Sequence, residues 1–162
     1  MRCNWYHAGT FLPPIAALAL AACATLAPRP DAEAAALADA VRSGSGAFYA
    51  RLAATPAPEC DYEHNMSEYT RMQENAGRLQ AHLAQAQAGP ALASAAQALA
   101  RTITDARHSH ELASARSDDP NGMCMAPGSI ALNAGAIERA SLAIAAASLA
   151  GAATRQSAGG PQ

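Results

Sequence analysis

More than a quarter of this chain, 46 of its 162 residues, is alanine. Alanine loses no side-chain entropy in a helix and heads the helix-propensity scale. With few β-branched residues beside it, the chain is expected to be all-α. The same alanines limit what folding can gain, because a methyl group removes little apolar area from water. The expectation is closely approaching helices around a thin core, in a chain long enough for one domain.

Four segments carry a helical rhythm. In the first, opening at the N-cap residue Asp31, Leu37, Val41, Phe48 and Leu52 share a face. Ser43-Gly44-Ser45-Gly46 interrupts it, leaving open a kink or a break, and Pro56 and Pro58 end it. The second opens near Asp61, where Glu59, Asp61 and Glu63 complement the helix dipole, and its stripe is Tyr62, Met66, Tyr69, Ala76, Leu79 and Leu83. Gly89-Pro90 stops it. The third carries Leu92, Ala96, Leu99, Ile103, Ala106, His110 and Ala113, with Arg107 and Glu111 spaced as an i,i+4 ion pair. Asp119-Pro120-Asn121-Gly122 and Pro127-Gly128 make the segment from Ser117 to Gly128 a loop. The fourth starts near Ser129, with Ile130, Ile137 and Ile144 in one row and Leu142 and Leu149 in a second. With few polar groups it reads as the most buried helix, and Glu138 and Arg139 argue against a membrane span. Short connections make the expected fold an up-down four-helix bundle over residues 31–155, with a disordered tail over 156–162.

Net charge is −2, all 11 basic residues are arginine, and they stand singly along the chain. No basic face for nucleic acid is indicated.

Ahead of the helices, Met1 and Arg2 precede an apolar stretch from Phe11 to Ala22, broken only by Pro13 and Pro14. That is the length of a secretory hydrophobic region and too short to span a bilayer. It ends in Leu20-Ala21-Ala22-Cys23, which resembles the bacterial lipobox read by lipoprotein signal peptidase. The resemblance covers the first 23 residues. It implies a cleaved signal peptide (1–22), a diacylglyceryl group on Cys23, palmitate or another acyl chain on the new amine, and a tether over 23–30. It further implies an envelope location, with Ala24 after the cysteine pointing to the outer membrane, facing the periplasm. Losing Arg2 would take the mature charge from −2 to −3. Two other readings stay open: ordinary signal peptidase cleavage at Ala22-Cys23-Ala24 or Thr25-Leu26-Ala27, and an uncleaved anchor.

Cys3 then leaves with the signal and Cys23 takes lipid, so Cys60 and Cys124 remain in an oxidising compartment, where they can pair or stay as two free thiols. In the up-down topology both fall at the end of the bundle far from the membrane, which favours the pair. Closing a loop of 64 residues is worth about 4 kcal/mol in the chain-entropy model.

No residue set argues for catalysis. There is no Gly-x-Ser-x-Gly, no phosphate loop and no convincing Ser/His/Asp grouping. His108 and His110 are two residues apart and point to different helix faces, and His110 reads as a hydrogen-bonded core residue. Asp61, Glu63 and His64 could make a surface metal patch, and Met123-Cys124-Met125 carries soft donors, but capping and packing explain both sets. No cofactor is expected. The expected function is a non-enzymatic interaction module, held to the membrane by lipid, that presents Asp118, Asp119 and Met123 to an envelope protein. A periplasmic immunity or inhibitor protein is the alternative, and a periplasmic metal-binding protein the second alternative.

Overall fold

The computed structural model describes residues 30–115 and 123–150. They form α1 (Ala32–Ala54), α2 (Tyr62–Gln85), α3 (Pro90–Ala115) and α4 (Pro127–Ala150). Consecutive helices pack together, and α1 closes the ring against α4. This is the expected up-down four-helix bundle, and Cys60 is bonded to Cys124 with their Cα atoms 5.2 Å apart. The 1–22 and 156–162 segments, Cys23, and Asp118 and Asp119 lie outside the described residues.

The base of the bundle is organised by Asp31. Its carboxylate caps α1 by accepting from the Ala34 amide at 2.9 Å, and both its oxygens lie 2.9 Å from His82 Nε2 at the end of α2. Its own amide donates to the Ser148 carbonyl of α4, also at 2.9 Å. The chain therefore enters the fold against the last turn of α4. Burial pushes the Asp31 carboxyl up, but the Ala34 amide and His82 outweigh it and hold it below its ordinary value.

α1 runs unbroken through Ser43-Gly44-Ser45-Gly46. The Ser43 hydroxyl donates to the Asp39 carbonyl and the Ser45 hydroxyl to the Arg42 carbonyl, so neither serine leaves the helix. Ser45 is itself buried, and packing against two neighbours outweighs the roughly 1 kcal/mol that each glycine costs. α2 ends in a Schellman motif: the Ala88 amide donates to the Leu83 carbonyl and the Gln87 amide to Ala84. The left-handed residue this motif needs is Gln87, at φ 51°, not Gly89. α4 starts at Pro127, two residues before Ser129, because proline's fixed φ and missing amide suit the first helical position.

The core is graded. Toward the base it is built from Ala34, Ala38, Ala76, Ala96, Leu79, Leu83 and Leu99; toward the outer end from Phe48, Tyr49, Tyr69, Met72 and His110. Only five alanines are buried among the described residues, so large side chains, not alanines, supply most of the core. Three expectations are corrected. Met66 is 54% exposed, and the buried stripe of α2 is Asn65, Tyr69, Met72, Ala76, Leu79 and Leu83. Leu142 and Leu149 are about half exposed, at 49% and 52%. α4 is therefore not the most buried helix: by length and composition it could cross a membrane, yet only its Ile130–Ile137–Ile144 face is in the core.

Candidate functional site

The outer end of the bundle, opposite Asp31, is tied together by polar contacts. His110 is fully buried in α3. Its Nε2 lies 2.9 Å from the Cys60 carbonyl and its Nδ1 3.1 Å from the Tyr69 hydroxyl. A carbonyl can only accept, so Nε2 carries the proton, and Nδ1 accepts from the tyrosine. Burial drives His110 below its ordinary pKa, against the opposing pull of the Cys60 carbonyl and Asp61, so the neutral ring is the folded form. Tyr62 and Tyr69 flank it edge-on with ring centroids 6.0 and 5.7 Å away, and Phe48 packs on Tyr69 at 5.0 Å. The Tyr49 hydroxyl is pushed up to about 12 by burial, partly offset by Tyr69, and burial raises Tyr69 itself still further.

A second set of bonds stitches the connecting segments to this core. The Tyr62 amide donates to the Ser114 hydroxyl at 2.8 Å, and that hydroxyl donates to the Met123 carbonyl at 3.0 Å. The Asn65 side-chain Nδ2 donates to the carbonyls of Glu59 and Asp61, both at 2.8 Å, which explains why a polar residue sits on the buried stripe. Asp61 caps α2 through the His64 amide and pairs with the His64 ring, each at 2.8 Å. Slight burial raises the Asp61 carboxyl, but those bonds outweigh it and lower it, while the carboxylate raises exposed His64. Arg107 does not pair with Glu111: its Nε donates to the Tyr62 hydroxyl at 2.7 Å, a buried-side partner stronger than a solvated ion pair, and Glu111 lies beside His108.

Above these bonds lies a groove of about 730 Å³, lined by Asp61, Tyr62, Glu63, Met66, Glu111, Ser114, Ala115 and Met123. Tyr62, Met66 and Met123 give it apolar, adaptable walls; Glu63 and Glu111 are exposed acids on its margin. Ser114 both donates and accepts within the fold, and Asp61 is committed to its cap, so neither is poised for bond-making. The groove suits a ligand with an apolar stem and a cationic head, the chemistry of an arginine or lysine side chain.

Of the residues singled out from sequence, Met123 lines the groove, and the bonded Cys60 and Cys124 are the chain neighbours of its lining residues Asp61 and Met123. Met66, Glu63 and Glu111 were missed as groove residues; an apolar side chain on an otherwise polar helix face is the signal that marks Met66. Met123, Cys124 and Met125 do not converge: Met125 is buried 3.8 Å from the Tyr69 hydroxyl, and the Cys124 sulfur is bonded to Cys60. Among the described residues no cluster of three or more histidine, cysteine or acidic side chains is placed to hold a metal ion. No protein-family model, curated protein or solved structure matches the chain.

Proposed function

We propose that the chain is a non-enzymatic envelope lipoprotein, anchored by lipid on Cys23, whose outer end docks a basic segment of another envelope protein. The carrying observation is the polarity of the bundle. The chain enters at the base, where the Asp31 amide meets Ser148, and the acid-margined Met66–Met123 groove lies at the opposite end. A tether at the base leaves that groove facing outward. The disulfide and the Tyr62–Ser114–Met123 bonds hold its walls in place, which lowers the ordering cost of docking.

Two measurements test this reading. The intact mass of the protein from a membrane fraction should equal the chain from Cys23 plus acyl groups, and reduction should add two hydrogens; an unacylated, soluble product overturns the anchor. A photocrosslinking residue in place of Met66 should capture one discrete envelope protein, and the Glu63→Lys/Glu111→Lys double variant should lose it. The same probe at Ala93, in a groove at the base, should not capture it. Equal capture from both ends, or capture indifferent to charge reversal, overturns the docking role.

A further inference from the structure

We infer that the base half of α4 is a second membrane contact, in which the Leu142–Leu149 face rests on the lipid surface and sets the tilt of the bundle; this rests on the lipid anchor at Cys23. The exposed side chains from Leu142 to Ala150 are Leu142, Ala143, Ala146, Ala147, Leu149 and Ala150, with no charged or polar residue among them. Leu142 and Leu149 are 49% and 52% exposed, on the side of the helix away from buried Ile137, Ser141, Ile144 and Ser148. Arg139 begins this face three residues before Leu142, and its guanidinium runs back along the helix over Gly135. Exposed Glu138 stands beside it, so the uncharged strip ends at a charged pair one turn before Leu142, which matches acyl chains giving way to the polar headgroup layer.

The choice of lipid as occupant follows from where the chain enters the fold. The Asp31 amide donates to the Ser148 carbonyl, one residue before Leu149. Cys23 lies eight residues before Asp31 in sequence. Eight residues reach at most about 28 Å when fully extended. Leu142 is six residues from Ser148, about 9 Å along a helix axis, so the whole strip is within reach of a surface holding the lipidated cysteine. Leu132, also exposed, is 16 residues from Ser148, about 24 Å up the axis, and stays clear of a bilayer that meets only the base. Acyl chains on Cys23 already provide the affinity. The α4 strip therefore supplies orientation, and it points the outer groove away from the membrane.

Tryptophan reports this contact cleanly, because the chain's single tryptophan is Trp5, which signal cleavage removes. The full acylated protein, carrying Leu142→Trp, Leu149→Trp or Leu132→Trp, is reconstituted into phosphatidylethanolamine–phosphatidylglycerol vesicles doped with phosphatidylcholine brominated high on its acyl chains. Leu142→Trp and Leu149→Trp should each lose about half their emission to the bromines, as a side chain seated at the headgroup–acyl boundary does, while Leu132→Trp keeps its own. If all three stay equally bright while the protein floats with the vesicles, the contact is overturned and the anchor survives. Blue-shifted but unquenched emission at 142 and 149 would assign the face to a second copy or to another part of the chain, and also overturns the inference. Failure of the protein to float overturns the anchor and the contact together.

Discussion

His110 shows how one side chain links sequence, packing and pH response. It lies on the apolar stripe of α3, so the 3.6-residue rhythm buries it, and burial needs partners for both nitrogens. The Cys60 carbonyl and Tyr69 supply them, so His110 joins α3 to the connection before α2 and to α2 itself. Its folded pKa is depressed, so the unfolded chain binds the proton more readily. The stability it contributes is present above about pH 6.5 and is lost as pH falls through the lower folded value. His64 acts in the opposite sense, since its folded pKa is raised, but it is solvated and its effect is screened. Stability from denaturant titration should therefore fall between about pH 7 and pH 5. His110→Gln, which keeps a donor for the Cys60 carbonyl and does not titrate, should flatten that slope; an unchanged slope would place its origin elsewhere. Glycines give a simpler residue-scale prediction. Gly46 and Gly77 are exposed within helices, and a Cβ at either meets nothing within 4 Å. Gly46→Ala and Gly77→Ala should each raise unfolding free energy by about 0.5–1 kcal/mol.

Among the elements, legibility followed the contrast between polar and apolar positions. The α3 stripe from Ala96 to His110 was readable because arginines, threonines and acids fill its other faces. In α4 alanine and leucine occur on every side, so periodicity could find the Ile130–Ile137–Ile144 row but could not reject Leu142 and Leu149. In α2 the sequence suggested Met66, yet Asn65 holds the buried position because it satisfies two carbonyls of the preceding turn, a need with no period. The groove was hidden for the same reason: it is formed where α2, α3 and the residue before Cys124 meet, and no local pattern records that meeting. The end of α2 offers an element-scale test. Gln87 occupies the left-handed region at φ 51°, which strains a side-chain-bearing residue and suits glycine. Gln87→Gly should relieve that strain while losing some unfolded-state restriction, for a net gain of about 0.5–1 kcal/mol in chemical denaturation. A loss would mean that the Gln87 side chain makes a stabilising contact larger than the strain.

For the whole molecule the disulfide decides how cooperative the two ends are. The base is held by small residues and the Asp31–His82–Ser148 bonds, the outer end by aromatic packing, His110 and the Cys60–Cys124 bridge. Joining residues 64 apart in sequence, the bridge restricts the unfolded chain across all of α2 and α3. Removing it as the Cys60→Ser/Cys124→Ser pair should lower the unfolding free energy by about 4 kcal/mol. The deeper consequence is spatial. The Cys60 carbonyl is the partner of His110, and Met123, next to Cys124, is the partner of Ser114. Releasing the bridge therefore loosens the same bonds that hold the groove, while the Asp31 contacts about 30 Å away along the helices are untouched. Amide hydrogen exchange in the double variant should rise at Tyr62, Asn65 and the last turn of α3 before it rises at Ala34, Ala35 or Ala88. Groove-dependent crosslinking from Met66 should weaken with it, even where the helical signal is unchanged. Uniform acceleration at both ends would instead make the bundle a single cooperative unit, in which the disulfide sets overall stability and has no special hold on the groove.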